Sequence, residues 1–160
     1  MIDLHSHSKA SDGQYSPSEL ICKAAAENIS VLALTDHDTV AGHAEALEAS
    51  KKAGIIFVPG TELEIQWPTG EFHLLGLGLK SLSEKLMDII SFLQNERKSR
   101  NGKIIEKMQQ DGIQITLEQL EELNPGKSLG RPHIADFLVS KKIVKNRQSA
   151  FDKFLARGRP

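Results

Sequence analysis

Short apolar segments alternate with helical segments throughout the first 80 residues of the chain. Val31–Leu34 is an uninterrupted apolar run, which is typical of a strand buried on both faces of a sheet. Further strands are predicted over residues 2–5, 55–66 and 71–79, and a turn at residues 67–70 joins the last two. Because single helical segments separate the first three strands, we expect parallel β-α-β units and an α/β fold.

Two helix signals mark where these connecting helices begin and end. Ser16-Pro17-Ser18-Glu19 combines an N-cap serine, a proline in the first turn and a glutamate that can bond back to the cap. It predicts a helix that runs to about residue 28, with the lone cysteine, Cys22, buried in it. A second helix is predicted over residues 40–53 and ends at Gly54.

The second half of the chain is predicted to be helical. Ser81-Leu82-Ser83-Glu84 indicates a capping box that opens a long helix, which extends to about residue 110. Shorter helices are predicted over residues 117–123, 132–141 and 147–156, with a break at Asn124-Pro125-Gly126. The chain is therefore divided into a strand-containing segment, residues 1–80, and a helical segment, residues 81–160.

Composition and charge narrow the class of protein. A chain of 160 residues with 39% hydrophobic and 26% charged residues suits one globular domain. No apolar run approaches the roughly 20 residues of a membrane span, no secretory signal opens the chain, and one cysteine suits a reducing compartment. We therefore expect a cytoplasmic protein with no membrane partner.

The charge is spread unevenly along the chain. Residues 1–80 hold 11 acidic and 5 basic residues, giving −6, whereas residues 81–160 hold 10 acidic and 15 basic residues, giving +5. This asymmetry suits a metal site that handles anionic substrates, but charge alone favours plain solvated helix faces in the second half.

Histidines and carboxylates follow each of the predicted strands. His5 and His7 stand two residues apart, so both side chains can point to one face of an extended segment. His37 follows the buried strand directly, at the edge where parallel α/β folds build their sites. His73 alone would suit a hydrogen-bonded core residue. However, one or more His, Asp or Glu residues follow each of four successive strands, and this pattern predicts a metal site. The residues of this site are His5, His7, Asp12, His37, Glu62 and His73.

These motifs resemble the PHP family, which is named for polymerase and histidinol phosphatase. The resemblance is carried by Asp3-Leu4-His5-Ser6-His7 with Ser11-Asp12-Gly13, Ala33-Leu34-Thr35-Asp36-His37-Asp38-Thr39 with Gly42, Gly60-Thr61-Glu62, and His73. Gly130-Arg131-Pro132-His133-Ile134-Ala135 and Ala150-Phe151-Asp152-Lys153-Phe154-Leu155 resemble the subgroup of 3′,5′-nucleoside bisphosphate phosphatases and 5′–3′ exoribonucleases. The resemblance covers essentially the whole chain.

The resemblance implies a fold and a metal centre. The family fold is a distorted seven-stranded β/α barrel, so residues 1–80 are expected to form its first strands. Residues 81–160 are then expected to form an inserted helical subdomain that acts as a lid. Up to three divalent ions are implied, held respectively by His5, His7 and Glu62, by Glu62, His73 and His133, and by Asp12 and His37. Manganese is the leading candidate, and iron, zinc or magnesium also suit such ligands.

The implied activity is that of a phosphoric ester hydrolase. A metal-activated water attacks phosphorus, with no side-chain nucleophile, and the partner is a phosphorylated nucleotide or an RNA end. No stable binding of double-stranded DNA is expected. Contacts with the substrate phosphate are implied for four residues of the helical half, namely Arg97, Arg100, Asn101 and Arg131. For Arg97, a solvated surface charge is an equal alternative.

Three further polar residues follow or flank His37. Asp36 and Asp38 are expected to orient the ligating histidines through hydrogen bonds. Asp38 equally suits the N-cap of the helix that follows it. His43 lies on that helix, and we expect it at the surface.

The family resemblance also leaves alternatives open. Members of the subgroup run on beyond residue 160 into later strands with an Asp-x-His pair and another histidine-containing motif. The chain is therefore expected to be a fragment, a protein completed by another polypeptide, or a degenerate relative. Alone, it is expected to bind part of the metal complement and to hydrolyse nucleotides poorly. The alternative functions are a histidinol-phosphatase-like or polymerase-associated phosphoesterase, and a non-catalytic metal-binding or interaction module.

Overall fold

The computed structural model describes residues 1–68 and 70–155, and the chain divides into two compact units, Met1–Gln94 and Asn95–Pro160. The first unit contains a four-stranded sheet in the order β1-β2-β3-β4. Its strands are β1 (Ile2–Ser6), β2 (Val31–Leu34), β3 (Ile56–Trp67) and β4 (Gly70–Leu77). Strands β1, β2 and β3 are parallel, and β4 is antiparallel to β3. The α/β prediction is confirmed. Thr69, within the predicted turn, lies outside the described residues.

Two helices, α1 (Pro17–Ala26) and α2 (His43–Ala53), connect the parallel strands. The predicted capping box of α1 is present, because Ser16 Oγ accepts from Glu19 N at 3.2 Å and Glu19 Oε2 accepts from Ser16 N at 2.7 Å. The core of this unit packs both helices against β2 and consists of Ile21, Ala24, Leu32, Leu34, Ala46 and Ala49. Cys22 is exposed, so its predicted burial is wrong. It follows Ile21 directly and therefore points away from the buried helix face.

The long helix α3 (Glu84–Gln110) begins in the first unit and ends in the second. The predicted capping box at Ser81 is wrong, because Ser83 caps this helix. Ser83 O accepts from Met87 N at 3.0 Å, and Ser83 Oγ accepts from Leu86 N at 3.3 Å. Of the two serines that precede Glu84, the structure uses the nearer one.

The second unit continues with α4 (Leu117–Leu123), α5 (Arg131–Ser140), α6 (Arg147–Ala150) and a π-helix (Phe151–Leu155). The last predicted helix is thus divided in two, and residue 156 lies outside the described residues. The core of this unit is apolar and includes Ile105, Met108, Ile115, Leu120, Ile134, Phe137, Leu138 and Leu155. In residues 1–68 and 70–155, no helix combines the length and the apolar character needed to cross a membrane.

Candidate metal centre

A shift of one residue in the pairing of β1 with β2 decides where the first two histidines lie. Ser6, and not His5, is level with Leu34. Leu34 belongs to the core beneath the helices, so in a regular register His5 would point into that core. The extra residue in β1 is a bulge, which puts Ser6 in the place of His5 opposite Leu34, and His5 Nε2 lies 2.9 Å from Glu62 Oε2 instead.

The loop after β1 folds back so that Asp12 returns beside His7. Gly13 N donates to Ser8 O at 2.9 Å, which closes this loop. A Cβ atom on Gly13 would lie 2.2 Å from His7 O, so only glycine allows the backbone to approach this closely. Asp12 Oδ1 consequently lies 3.7 Å from His7 Nδ1.

Backbone pairing beyond the end of β2 aligns His37 with Glu62. The two residues form an isolated parallel bridge, in which Glu62 N donates to Asp36 O at 3.2 Å and Asp38 N donates to Glu62 O at 2.9 Å. Residues paired across parallel strands point to the same face. His37 Nδ1 therefore lies 3.6 Å from Glu62 Oε2.

The carboxylate of Glu62 is the centre of a cluster of four imidazoles. One of its oxygens, Oε2, lies 2.9 Å from His5 Nε2 and 3.0 Å from His7 Nε2. The other oxygen, Oε1, lies 2.6 Å from His73 Nδ1. The rings of His7 and His37 are stacked, with their centroids 4.6 Å apart. The Glu62 side chain is only 5% exposed, so the cluster encloses it.

The histidines also set the protonation state of Glu62. Burial by itself raises the pKa of this carboxyl group. The hydrogen bonds from His5 and His73, together with the charges of His37 and His7, outweigh burial and lower the pKa below its ordinary value. Glu62 is therefore a carboxylate at neutral pH, which is the form that binds a cation.

Six of the predicted ligands form three overlapping groups with the spacing of a metal site. The groups are His5, His7 and Glu62; His7, Asp12 and His37; and His37, Glu62 and His73. Ligand atoms within each group lie within 4.8 Å of one another, and two ligands about 2.1 Å from one ion are at most about 4.2 Å apart. A small contraction would therefore let each group hold an ion.

The chemistry of the donor atoms also fits a divalent metal. His7 Nδ1 is buried and has no hydrogen-bond partner in the part of the chain that the structure describes. A buried polar atom without a partner is costly unless a ligand satisfies it. Imidazole nitrogens and carboxylate oxygens together suit manganese, iron or zinc. The residues thus fit the implied metal, while the ligand role of each residue stays a prediction.

The carboxylate of Asp36 accepts hydrogen bonds from two serines of the loop after β1, and its expected role in orienting a histidine stays a prediction. Asp36 is 2% exposed, and its carboxylate accepts hydrogen bonds from Ser8 N at 2.7 Å, Ser8 Oγ at 2.6 Å and Ser11 Oγ at 2.6 Å. Asp36 therefore fixes the loop between His7 and Asp12, because the bulge and turn after β1 bring these serines over its side chain.

Two expectations for this region are wrong. Asp38 does not cap α2, whose N-cap is Gly42; its Oδ1 instead accepts from Glu64 N at 3.0 Å. His43 is half-buried and not at the surface, because its Nε2 donates to Gly60 O at 2.7 Å. Burial lowers the pKa of His43, although the bond to Gly60 and the charge of Asp36 act in the opposite direction.

Three buried polar residues beside the cluster escaped the sequence prediction, namely Ser8, Ser11 and Glu64. Glu64 lies two residues after Glu62, so the alternation of a strand was the signal that could have found it. No comparable signal separates the two serines from ordinary turn residues.

In the second unit, two buried polar side chains of α3 contact the segment that leads into α5. Asn101 is 1% exposed, and its Nδ2 donates to Leu129 O at 3.1 Å. Arg97 is 8% exposed, and an added Cβ atom at Gly130 would lie 3.1 Å from its guanidinium. Arg97 is therefore not the solvated charge that we weighed as an alternative. Arg131 is the first residue of α5, and Arg100 is partly exposed on α3.

His133, the seventh predicted ligand, lies on α5 and is buried. Its Nδ1 accepts a hydrogen bond from Gly130 N at 3.0 Å. A neutral imidazole that accepts at Nδ1 carries its proton on Nε2. Ligation of an ion through Nε2 would therefore require this hydrogen bond to break, and the ligand role of His133 stays a prediction.

Known proteins match nearly the whole of this chain. The PHP domain model matches residues 3–156. The chain is 36% identical to a 5′–3′ exoribonuclease of Haemophilus influenzae and 34% identical to a 3′,5′-nucleoside bisphosphate phosphatase of Chromobacterium violaceum. These alignments cover 98% and 99% of this chain, and 57% and 56% of the relatives. A solved amidohydrolase from Chromobacterium violaceum, with bound sulfate and no metal, has a TM-score of 0.91 at 34% identity, over 99% of this chain and 56% of that chain.

The sheet and its cluster of imidazoles and carboxylates define an α/β protein with a candidate metal centre at one sheet edge. More specifically, the chain belongs to the PHP family, as the resemblance predicted. Its strands form the N-terminal part of the β/α barrel of that family. The chain spans a little over half the length of the curated relatives named above.

Proposed function

We propose that this chain forms part of a metal-dependent phosphoesterase that hydrolyses a phosphate ester of a nucleotide or an RNA end. The convergence of four imidazoles and two carboxylates into three overlapping metal groups carries this proposal. The relatives named as a nucleoside bisphosphate phosphatase and an exoribonuclease support the substrate class. The sulfate in the Chromobacterium violaceum structure supports a site for a tetrahedral anion.

Glu62 has the central role in this proposal. Its two oxygens face different histidines, with His5 and His7 at Oε2 and His73 at Oε1, so one carboxylate can bridge two cations. The imidazoles bind as neutral ligands, and the centre therefore keeps positive charge for an anionic substrate. Divalent ions, with manganese as the leading candidate, would supply an activated water and offset the charge of the phosphate.

We also propose that the second unit, which is helical, supplies groups that bind the substrate phosphate. One guanidinium group can donate two parallel hydrogen bonds to the oxygens of a phosphate. Arg97, Arg100 and Arg131 therefore suit the binding of a substrate phosphate. Asn101 Oδ1 and Ser128 Oγ are buried with no hydrogen-bond partner among the described residues, so both retain the capacity to bind a ligand. His133 stays a predicted metal ligand, and binding of an ion through its Nε2 would require release of its bond to Gly130.

Binding of adenosine 3′,5′-bisphosphate by calorimetry tests the proposed function. The chain loaded with Mn²⁺ should bind this nucleotide at least about tenfold more tightly than the chain treated with EDTA, a difference of about 1.4 kcal/mol. Adenosine, which lacks phosphate, serves as the control ligand and should show no such dependence. Any release of phosphate should stop when EDTA is added. Equal affinity with and without Mn²⁺ would contradict the proposal.

The role of the helical unit is tested separately with Arg131→Ala. Loss of a charged hydrogen-bond donor costs about 1.5–3 kcal/mol, so affinity for the bisphosphate should fall by roughly 10-fold to 100-fold. Binding by the unaltered chain should also weaken with added salt. Lys103→Ala removes the same charge from an exposed position of α3 and is the control. Equal losses in the two variants would show that only net charge matters.

A further inference from the structure

The carboxylate of Asp36 forms a buried polar network with two serines of the loop that follows β1. Ser8 N and Ser11 Oγ both donate to Asp36 Oδ1, at 2.7 and 2.6 Å, and Ser8 Oγ donates to Oδ2 at 2.6 Å. The exposed fractions of Ser8, Ser11 and Asp36 are 0%, 1% and 2%. Hydrogen bonds to a carboxylate are strong when solvent is excluded, so this network holds the loop firmly.

The two serines are the immediate neighbours of two predicted ligands. Ser8 follows His7 directly, and Ser11 precedes Asp12 directly. Ser8 O also accepts from Ser11 N at 3.1 Å, which closes the loop between the two serines. The Asp36 carboxylate therefore fixes both ends of the short segment that separates His7 from Asp12.

The backbone of Asp36 makes a separate set of contacts with β3. Asp36 O accepts from Glu62 N at 3.2 Å and from Thr61 Oγ1 at 3.1 Å. These bonds do not involve the carboxylate. Replacement of the side chain should therefore release the loop while His37 and Glu62 remain paired.

We infer that Asp36 is a positioning residue that sets His7 and Asp12 through Ser8 and Ser11 and leaves His73 unaffected. This inference rests on the proposed metal-binding function. Two of the three metal groups contain His7, whereas the group of His37, Glu62 and His73 contains neither loop ligand. Loss of the Asp36 carboxylate should weaken the first two groups and spare the third.

Two substitutions at this position separate geometry from charge. Asp36→Asn keeps an oxygen that can accept from Ser8 N and Ser11 Oγ, and its amide can donate to Ser8 Oγ. Asp36→Ala removes all three hydrogen bonds. If positioning is the role of Asp36, the asparagine variant recovers most of what the alanine variant loses.

The test is a Zn²⁺ titration followed by NMR of the histidine ring nitrogens in the full chain. In Asp36→Ala, the zinc affinity reported by His7 should fall by at least about tenfold, while the affinity reported by His73 should change by less than about twofold. Asp36→Asn should return the His7 response close to that of the unaltered chain. Equal losses at His7 and His73 would show that Asp36 only stabilises the unit.

Further variants keep the test decisive if Asp36→Ala does not fold, which circular dichroism of the zinc-free chain reveals. The double variant Ser8→Ala, Ser11→Ala should reproduce the selective loss at His7. Ser50→Ala removes another buried serine hydroxyl, which donates to Leu47 O within α2, and should leave both responses unchanged. An unchanged His7 response in the double variant and in Asp36→Ala would overturn the inference alone. If zinc does not change the histidine ring-nitrogen signals of the unaltered chain, both the inference and the proposed function are overturned.

Discussion

The two units of the chain fill their interiors with different kinds of side chain. The first unit packs a small apolar core between its helices and β2, and it buries many polar residues beside it, among them Ser8, Ser11, Thr35, Asp36, Asp38, Thr61, Glu62 and Glu64. The second unit has a larger apolar cluster, and its buried polar residues among those described are Arg97, Asn101 and His133.

This difference separates two ways of specifying a structure. In the first unit the polar interior is specific because buried polar groups must be paired, and each pairing fixes the position of a loop or strand end. In the second unit, shape and apolar burial determine the packing. We therefore expect substitutions of buried polar residues in the first unit to change ligand binding. Substitutions of buried apolar residues in the second unit should change the free energy of unfolding.

The largest expected effect follows from Glu62→Gln, which keeps the shape of the side chain and removes its charge. Two of the three metal groups contain Glu62. Since even residues behind the ligands change metal affinity by 10-fold to 100-fold, affinity for Mn²⁺ should fall by more than about 100-fold. Elemental analysis after dialysis measures this loss, with exposed Glu48→Gln as the control. Unchanged metal content would contradict the bridging role of Glu62.

Leu138→Ala tests the expectation that the apolar core of the second unit determines its free energy of unfolding. Leu138 is 0% exposed, so truncation removes buried surface and leaves a cavity. The free energy of unfolding should fall by about 2–5 kcal/mol, as measured by urea denaturation. Leu123→Ala, at a position 62% exposed, should change it by less than about 0.5 kcal/mol. Similar losses in the two variants would refute the assignment of the core.

The alternation of strands and helices in the first unit was predictable from the sequence because local signals agreed with tertiary packing. Val31–Leu34 is the second strand as predicted, and the capping box at Ser16 opens α1. The start of α3 was predicted from the capping box at Ser81, and that pattern did not show that Ser83 would cap the first helical turn.

The clustering of six of the candidate ligands was predictable, but their detailed placement was not. A bulge in β1 depends on how two strands pair, so no property of residues 2–5 reveals that Ser6 replaces His5 opposite Leu34. The role of Asp36 likewise depends on a loop from another part of the chain. The tertiary fold determines the ion-pair and hydrogen-bond partners of buried polar residues, and sequence spacing does not specify them.

Substitution of one glycine in each unit tests what the backbone requires at that position. Gly13→Ala places a Cβ atom 2.2 Å from His7 O, so the backbone must move, and the response of His7 to zinc should weaken. Gly112→Ala meets nothing within 4 Å, but its φ of +82° should cost about 1–2 kcal/mol of unfolding free energy. Zinc titration and urea denaturation of both variants measure the two effects. A Gly13→Ala chain with an unaltered His7 response would show that the loop adapts freely.

The smallest expected effect concerns the pH dependence of stability in the first unit. Burial lowers the pKa of His43 in the folded chain, whereas in the unfolded chain it stays near about 6.5. As pH falls below that value, the unfolded chain binds a proton at His43 before the folded chain does. The folded chain therefore loses stability between about pH 6.5 and the lower pKa of His43 in the folded chain. His43→Gln keeps an N–H for Gly60 O and removes the titration. In EDTA, its free energy of unfolding should therefore fall less between about pH 7.5 and pH 5.5 than that of the unaltered chain. Equal decreases would mean that His43 takes up its proton as readily in the folded chain as in the unfolded one, because only a difference in proton affinity can link its titration to stability.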